Sequence, residues 1–158
     1  MSTVELDRVD RGIIHLLQAD ARRKTAEEMG DAVGVSASTV RNRIDRLEST
    51  GVIRGYNPDI DYERAGYQHQ MVLICHAPMG SRKMVAQRVM DVEGVVTVRE
   101  MLTGSANLHV EAIGADSDAV DRITDELADL DLEIKSVELV KDLRVQPFDG
   151  FGSDIVEE

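Results

Sequence analysis

The chain has 158 residues, 42% hydrophobic but only 3% aromatic with no tryptophan, so its core must be built mainly from Val, Ile, Leu, Met and Ala in one domain or two small ones. A formal charge of −12 excludes a protein that coats nucleic acid indiscriminately. No run approaches the ~20 apolar residues of a membrane span, and the start Met-Ser-Thr-Val-Glu-Leu-Asp is too polar for a signal peptide, so a cytoplasmic protein is expected.

The charge is uneven. Residues 1–65 carry 10 Lys+Arg against 12 Asp+Glu, net −2, and residues 66–158 carry 8 against 18, net −10. Arginine far outnumbers lysine, which occurs only at Lys24, Lys83, Lys135 and Lys141. This composition resembles that of proteins from extreme halophiles, whose acidic surfaces stay hydrated in molar salt; the alternative is an ordinary acidic cytosolic protein.

Leu6, Val9, Ile13, Leu16 and Leu17 recur at helical spacing after Asp7 and predict a first helix. His15 lies within it, next to Ile14 and Leu16, and is expected to be partly buried with its polar atoms satisfied. Thr25-Ala-Glu-Glu28 has the form of a capping box, so a second helix begins near Ala26 and, after Met29 and Val33, stops at Gly34. Ser36 caps a third helix running to about Thr50, with Gly51 beyond it. Val40, Ile44 and Leu47 form its buried stripe and close a three-helix core.

The outer side of the third helix carries Ser38, Asn42, Asp45 and Arg46, flanked by Thr39, Arg41 and Arg43. Arginine, asparagine and hydroxyl groups on the N-terminal half of an exposed helix are what reading base edges in the major groove requires. A solvated surface helix is the bland alternative, but it accounts for neither the ordered caps nor the basic face. Ser38, Thr39, Arg41 and Asn42 are the expected base contacts, and Thr25, Ser36, Arg43, Arg46 and Arg54 the expected phosphate contacts. Val52 to Asp61 reads as two short extended pieces turning at Asn57-Pro58, a wing that puts Arg54 beside the backbone of double-stranded DNA.

The expected domains are a winged helix-turn-helix over 1–61, a linker over 62–68, a second domain over 69–146 and a poorly ordered acidic tail over 147–158. The second domain reads as strand 70–77, helix 81–91 carrying Met84, Val85, Val89 and Met90, strand 95–102, turn 103–106, strand 107–113, a helix capped by Asp116, and strand 134–145. That order, β-α-β-β-α-β, is the ferredoxin-like split unit and makes the fold class α+β. Met71, Leu73 and Cys75 alternate with Val72 and Ile74, so the first strand is apolar on both sides. Two helices cover one face of the sheet, and a second copy of the chain is expected on the other, giving a homodimer.

No metal or cofactor is expected. The single cysteine, Cys75, excludes an internal disulfide and reads as a buried thiol. Cys75 and His76 are adjacent on a strand and point to opposite faces, and His69 and His109 add no chelating spacing.

Leu6-Asp-Arg-Val-Asp-Arg-Gly-Ile-Ile14, Val33-Gly-Val-Ser36, Arg43-Ile-Asp-Arg-Leu-Glu48 and Gly51-Val-Ile-Arg-Gly-Tyr56, followed by the βαββαβ pattern, resemble the Lrp/AsnC, or feast/famine, family of transcription regulators, haloarchaeal in type. The match covers residues 4 to about 146. It implies a RAM-type second domain, dimers that often assemble into tetramers or octamers, and two recognition helices engaging half-sites about one or two helical turns apart. It also implies an effector pocket, in many members for an amino acid, at the turn between the second and third strands, here Thr103, Gly104, Ser105, Ala106, Asn107 and Leu108. The family often has acids in that loop to receive an ammonium group, and this chain has Ser105 and Asn107 instead. A polar β-turn without a ligand is the alternative there. The resemblance implies no enzyme, although sirohaem decarboxylases share the two-part architecture, and His109 and Arg99 are the residues to cast in that role. The basic helix face is one an enzyme would not need.

Overall fold

The computed structural model describes residues 2–152 and Ile155. Three helices come first: α1 (Arg8–Asp20), α2 (Ala26–Val33) and α3 (Ala37–Ser49). Then follow β1 (His69–His76), α4 (Arg82–Met90), β2 (Val95–Glu100), β3 (Leu108–Gly114), α5 (Ser117–Ala128), β4 (Glu133–Leu139) and a 3-10 turn at Asp149–Phe151. The chain divides into two compact units, Met1–Pro58 with Arg144–Glu158, and Asp59–Leu143.

In the first unit Ile13, Ile14 and Leu16 of α1 meet Met29 and Val33 of α2 and Val40 and Leu47 of α3 in one apolar cluster. Gly30 allows the tight corner that follows α2, since a Cβ there would lie 2.5 Å from the carbonyl oxygen of Val35. His15 is half-buried as expected, and its Nδ1 meets no hydrogen-bond partner among the described residues.

Two expectations change here. Residues 52–61, expected as two short extended pieces, pair in no strand ladder; Gly55 and Pro58 weaken any ladder, and Pro58 has no N–H to give one. The segment is tied to α3 instead, by Ile53 N–H to Leu47 O at 3.0 Å and by the Tyr56 hydroxyl donating to Glu48 Oε1 at 2.8 Å. The segment expected as a poorly ordered tail packs on the first unit as far as it is described. Phe151 rests against the helical core and meets Phe148 edge-on at 5.3 Å, and Arg8 Nη2 donates to Ile155 O at 3.0 Å. The chain's two phenylalanines outweigh the glycines and acids around them.

The second unit is a four-stranded antiparallel sheet in the order β2-β3-β1-β4, the expected βαββαβ topology. Met71, Leu73 and Cys75 of β1 and Leu108, Val110 and Ala112 of β3 point into one core with Val85, Ala86 and Val89 of α4 and Ile123 and Leu127 of α5. Met84 and Met90 of α4 are exposed, so the buried stripe is narrower than the apolar spacing suggested. β4 stops at Leu139 rather than running to Val145, and Leu143 and Val145 are exposed. On the face away from the helices Val72 and Ile74 are half-buried, beside a polar set in which Gln70 Nε2 donates to Glu111 Oε1 at 2.6 Å and Arg99 pairs with Glu111 at 3.7 Å.

Candidate nucleic-acid interface

Local chemistry sets the helix pair. Thr25 Oγ1 accepts the N–H of Glu28 at 3.1 Å while Glu28 Oε2 accepts that of Thr25 at 2.9 Å, a complete capping box. Gly34 closes α2 at φ 79°, a left-handed conformation natural to glycine, with its N–H on Gly30 O at 2.8 Å. Two residues on, Ser36 Oγ accepts the N–H of Thr39 at 3.2 Å and starts α3. The hydroxyls of Thr25 and Ser36, expected at phosphates, are thus acceptors within caps, though each keeps an O–H to donate.

Ser38, Arg41 and Asn42 are exposed on the first turns of α3, and Thr39 is half-buried with its hydroxyl 3.0 Å from Ser36 Oγ. Arg41 pairs with Glu27 of α2 at 2.8 Å, both side chains more than half exposed. Arg43 and Arg46 lean toward α1. Arg43 Nη1 reaches Asp7 Oδ2 at 2.6 Å and Asp10 Oδ1 at 3.1 Å, and Arg46 Nη1 reaches Asp10 Oδ2 at 3.1 Å. The Asp7 carboxyl is held below its ordinary range, first by the Asp10 N–H and then by Arg43, and Arg43 is raised in turn by Asp7 and Asp10. Arg46 is exposed and Arg43 half-buried, each with part of its guanidinium on these carboxylates, and Arg54 is exposed. Sequence reasoning missed Asp7, Asp10 and Glu27. The available signal was Asp10, a carboxylate set three residues before Ile13 in an apolar stripe.

The loop expected to hold an effector has a different use for Asn107. The residue is 2% exposed, and its carboxamide accepts the N–H of Ala77 and donates to Ala77 O, both at 2.8 Å. Leu108 is buried in the core and Ala106 is half-buried, which leaves Thr103, Gly104 and Ser105 exposed at the loop tip. His76 Nδ1 lies within hydrogen-bond distance of Ser105 O, and Arg82 Nη1 donates to Met101 O at 3.0 Å. At the other end of the β2–β3 hairpin an open groove of about 420 Å³ is lined by Tyr62, Tyr67, Gly94, Val96, Gly114 and Arg122, among others. Cys75 is buried among apolar groups, which push its thiol up to about 11. Arg99 and His109 are paired positions of β2 and β3, on the uncovered sheet face.

Comparison with known proteins agrees with this geometry. Residues 6–48, which span α1 to α3, match the AsnC-type helix-turn-helix domain. The uncharacterized HTH-type transcriptional regulator PH0140 of Pyrococcus horikoshii is 33% identical over 141 residues, covering 85% of this chain and 84% of that one. The HTH-type transcriptional regulator AldR of Mycobacterium tuberculosis is 34% identical over 112 residues, covering 68% and 62%. Among solved structures, Escherichia coli AsnC superposes with a TM-score of 0.72 at 19% identity over 92% of this chain and 98% of that one. The feast or famine regulatory protein of M. tuberculosis, complexed with L-methionine, gives 0.76 at 23% identity over 90% and 96%; these likenesses speak to the fold. No helix among the described residues is long and apolar enough to cross a membrane. The chain belongs to the Lrp/AsnC family of helix-turn-helix, DNA-binding transcriptional regulators.

Proposed function

We propose that α3 is the recognition helix of this regulator and reads base edges through Ser38, Thr39, Arg41 and Asn42, with Thr25, Ser36 and Arg54 on phosphates. The carrying observation is the exposed group Ser38, Arg41 and Asn42 on the first turns of a helix that a complete set of caps holds in place. Each good bidentate base contact is worth ~1–3 kcal/mol of discrimination. The protein acts as a homodimer, joined through the uncovered sheet face around Val72 and Ile74, so that two copies of α3 meet one duplex; tetramers and octamers are built from that unit. It works in the cytoplasm, without catalysis, and the charge of −12 suits a halophilic archaeon.

A small effector, an amino acid in the first instance, binds at the tip of the β2–β3 loop. Thr103 and Ser105 supply hydroxyls there, while Asn107 supports the loop from beneath. The L-methionine complex of the M. tuberculosis regulator with this fold supports the class of ligand. Selection from a random duplex pool in molar KCl, with sedimentation of the protein–DNA complex, tests the reading. A partly symmetric consensus bound by an even number of chains is expected, and a monomer that selects no sequence would refute it. Uptake of a porphyrin by the purified protein would instead favour the tetrapyrrole enzyme reading of Arg99 and His109.

A further inference from the structure

Asp10 sits in the first turn of α1 with its side chain wholly buried, and its two oxygens are divided between two arginines of α3. Oδ1 accepts from Arg43 Nη1 and Oδ2 from Arg46 Nη1, both at 3.1 Å, and Oδ2 also accepts the N–H of Asp7 at 3.1 Å. Asp7 returns the contact, taking the N–H of Asp10 on Oδ1 at 2.9 Å and Arg43 Nη1 on Oδ2 at 2.6 Å. Arg46 adds a bond from Nη2 to Glu5 O at 3.1 Å. The start of α1 thus grips one side of α3 at two positions three residues apart.

A buried carboxylate is costly to desolvate, and a well-packed apolar pair in its place is often as stable, so stability alone is a poor reason for it. Direction is a better one. Val40, Ile44 and Leu47 hold α3 against the core through contacts that tolerate a small roll about the helix axis. Charge-assisted hydrogen bonds at two successive turns do not tolerate it. The roll of α3 decides where Ser38, Arg41 and Asn42 point. The lock is also little screened, because Asp10 is out of solvent, whereas attraction to phosphate fades as salt rises.

We propose that Asp10 is a positioning residue of the DNA interface: it touches no nucleic acid, fixes the roll of α3, and commits Arg43 and Arg46 to that lock instead of to phosphates. The proposal rests on α3 being the recognition helix. Its test uses the full chain, a duplex selected by the wild type and a scrambled duplex, with affinity measured across KCl concentrations. Arg54→Gln, which removes a phosphate contact, should flatten the plot of log affinity against log salt by about one unit. Arg43→Gln and Arg46→Gln should leave that slope unchanged. Like Asp10→Asn, they should cut the preference for the selected duplex roughly tenfold, the scale of one misplaced base contact. A slope reduced by about one in either arginine variant would make it a phosphate ligand and overturn the proposal. An Asp10→Asn protein with native circular dichroism and undiminished preference would overturn it equally. Should Asp10→Asn not fold, the arginine variants decide, since each leaves Asp10 one arginine and the N–H of Asp7. A wild type that selects no duplex would remove the recognition-helix reading and the proposal with it.

Discussion

The carboxamide of Asn107 stands in for a neighbouring strand at Ala77, taking its N–H and giving to its carbonyl, both at 2.8 Å. This ties the loop after β2 to the end of β1, and it explains why an acid does not serve at position 107. A carboxylate accepts as well as an amide does but has no N–H for Ala77 O. Asn107→Asp and Asn107→Ala are both expected to destabilise the second unit, by about 1–3 kcal/mol for each main-chain group left buried and unpaired. Urea unfolding followed by circular dichroism measures it, and a change below about 0.5 kcal/mol, the range of an ordinary surface substitution, would contradict the role.

Glu27 pairs with Arg41 at 2.8 Å. Both groups are exposed, and such pairs contribute only ~0–1 kcal/mol. Glu27→Gln should therefore leave the melting temperature nearly unchanged. DNA affinity should rise by roughly threefold to fivefold, because Arg41 no longer exchanges one anion for another and one negative charge leaves the interface. Fluorescence anisotropy with a labelled duplex reads the change, and unaltered affinity would place Arg41 away from the DNA.

The pH dependence of the first unit has a definite sign. Asp7 in the folded chain titrates below its ordinary value of 3.8, because it accepts the Asp10 N–H and the Arg43 guanidinium. Stabilisation from this lowered group is complete above the unfolded value and disappears as pH falls through the folded one. Asp7→Asn should accordingly be less stable than wild type at pH 7, and the gap should close on acidification below about pH 4. Thermal melts of the two proteins between pH 7 and pH 3 test this, and a gap that widens toward acid would reverse the assignment.

Cys75 is expected to be inert in the native protein. Its thiol lies in the core and is pushed up to about 11 by burial, so almost no thiolate exists at neutral pH. For a group raised in this way, stability is complete below its unfolded value of 9.0 and is lost as pH climbs toward the folded one. Labelling with an aromatic disulfide reagent at pH 8 should proceed only on addition of denaturant. Rapid reaction of the native chain would show that the core opens at this strand.

Features decided by neighbours in sequence were legible in the residues themselves. The capping box of Thr25 and Glu28, the Gly34 stop and the Ser36 cap each depend on residues within one helical turn, and all three formed. The βαββαβ order was legible for a similar reason, since alternation in β1 and the stripe of Ile123 and Leu127 follow the period of each element. What escaped depends on partners distant in the chain. Asp10 meets Arg43 and Arg46 across 33 and 36 positions, and Asn107 meets Ala77 across 30. Nothing local marks an arginine on a helix as held from behind rather than offered to solvent. Val52 and Ile53, apolar enough for a strand, pack on the helices, a partner that their own sequence does not mark. Phe148 and Phe151 meet edge-on and Phe151 rests on the helical core, a packing that the acids around them mask in the sequence.

The reading of α3 stands or falls on separating sequence preference from general affinity. The direct measurement is binding of wild type, Asn42→Ala and Arg54→Ala to the selected duplex and to single-base variants of it, at one fixed salt concentration. Asn42→Ala should lose discrimination at one position by ~1–3 kcal/mol and bind unrelated DNA as before. Arg54→Ala should bind every duplex more weakly by a common factor. Two variants that differ from wild type only in thermal stability, with the same preferences and the same affinities, would contradict α3 as the element that reads DNA.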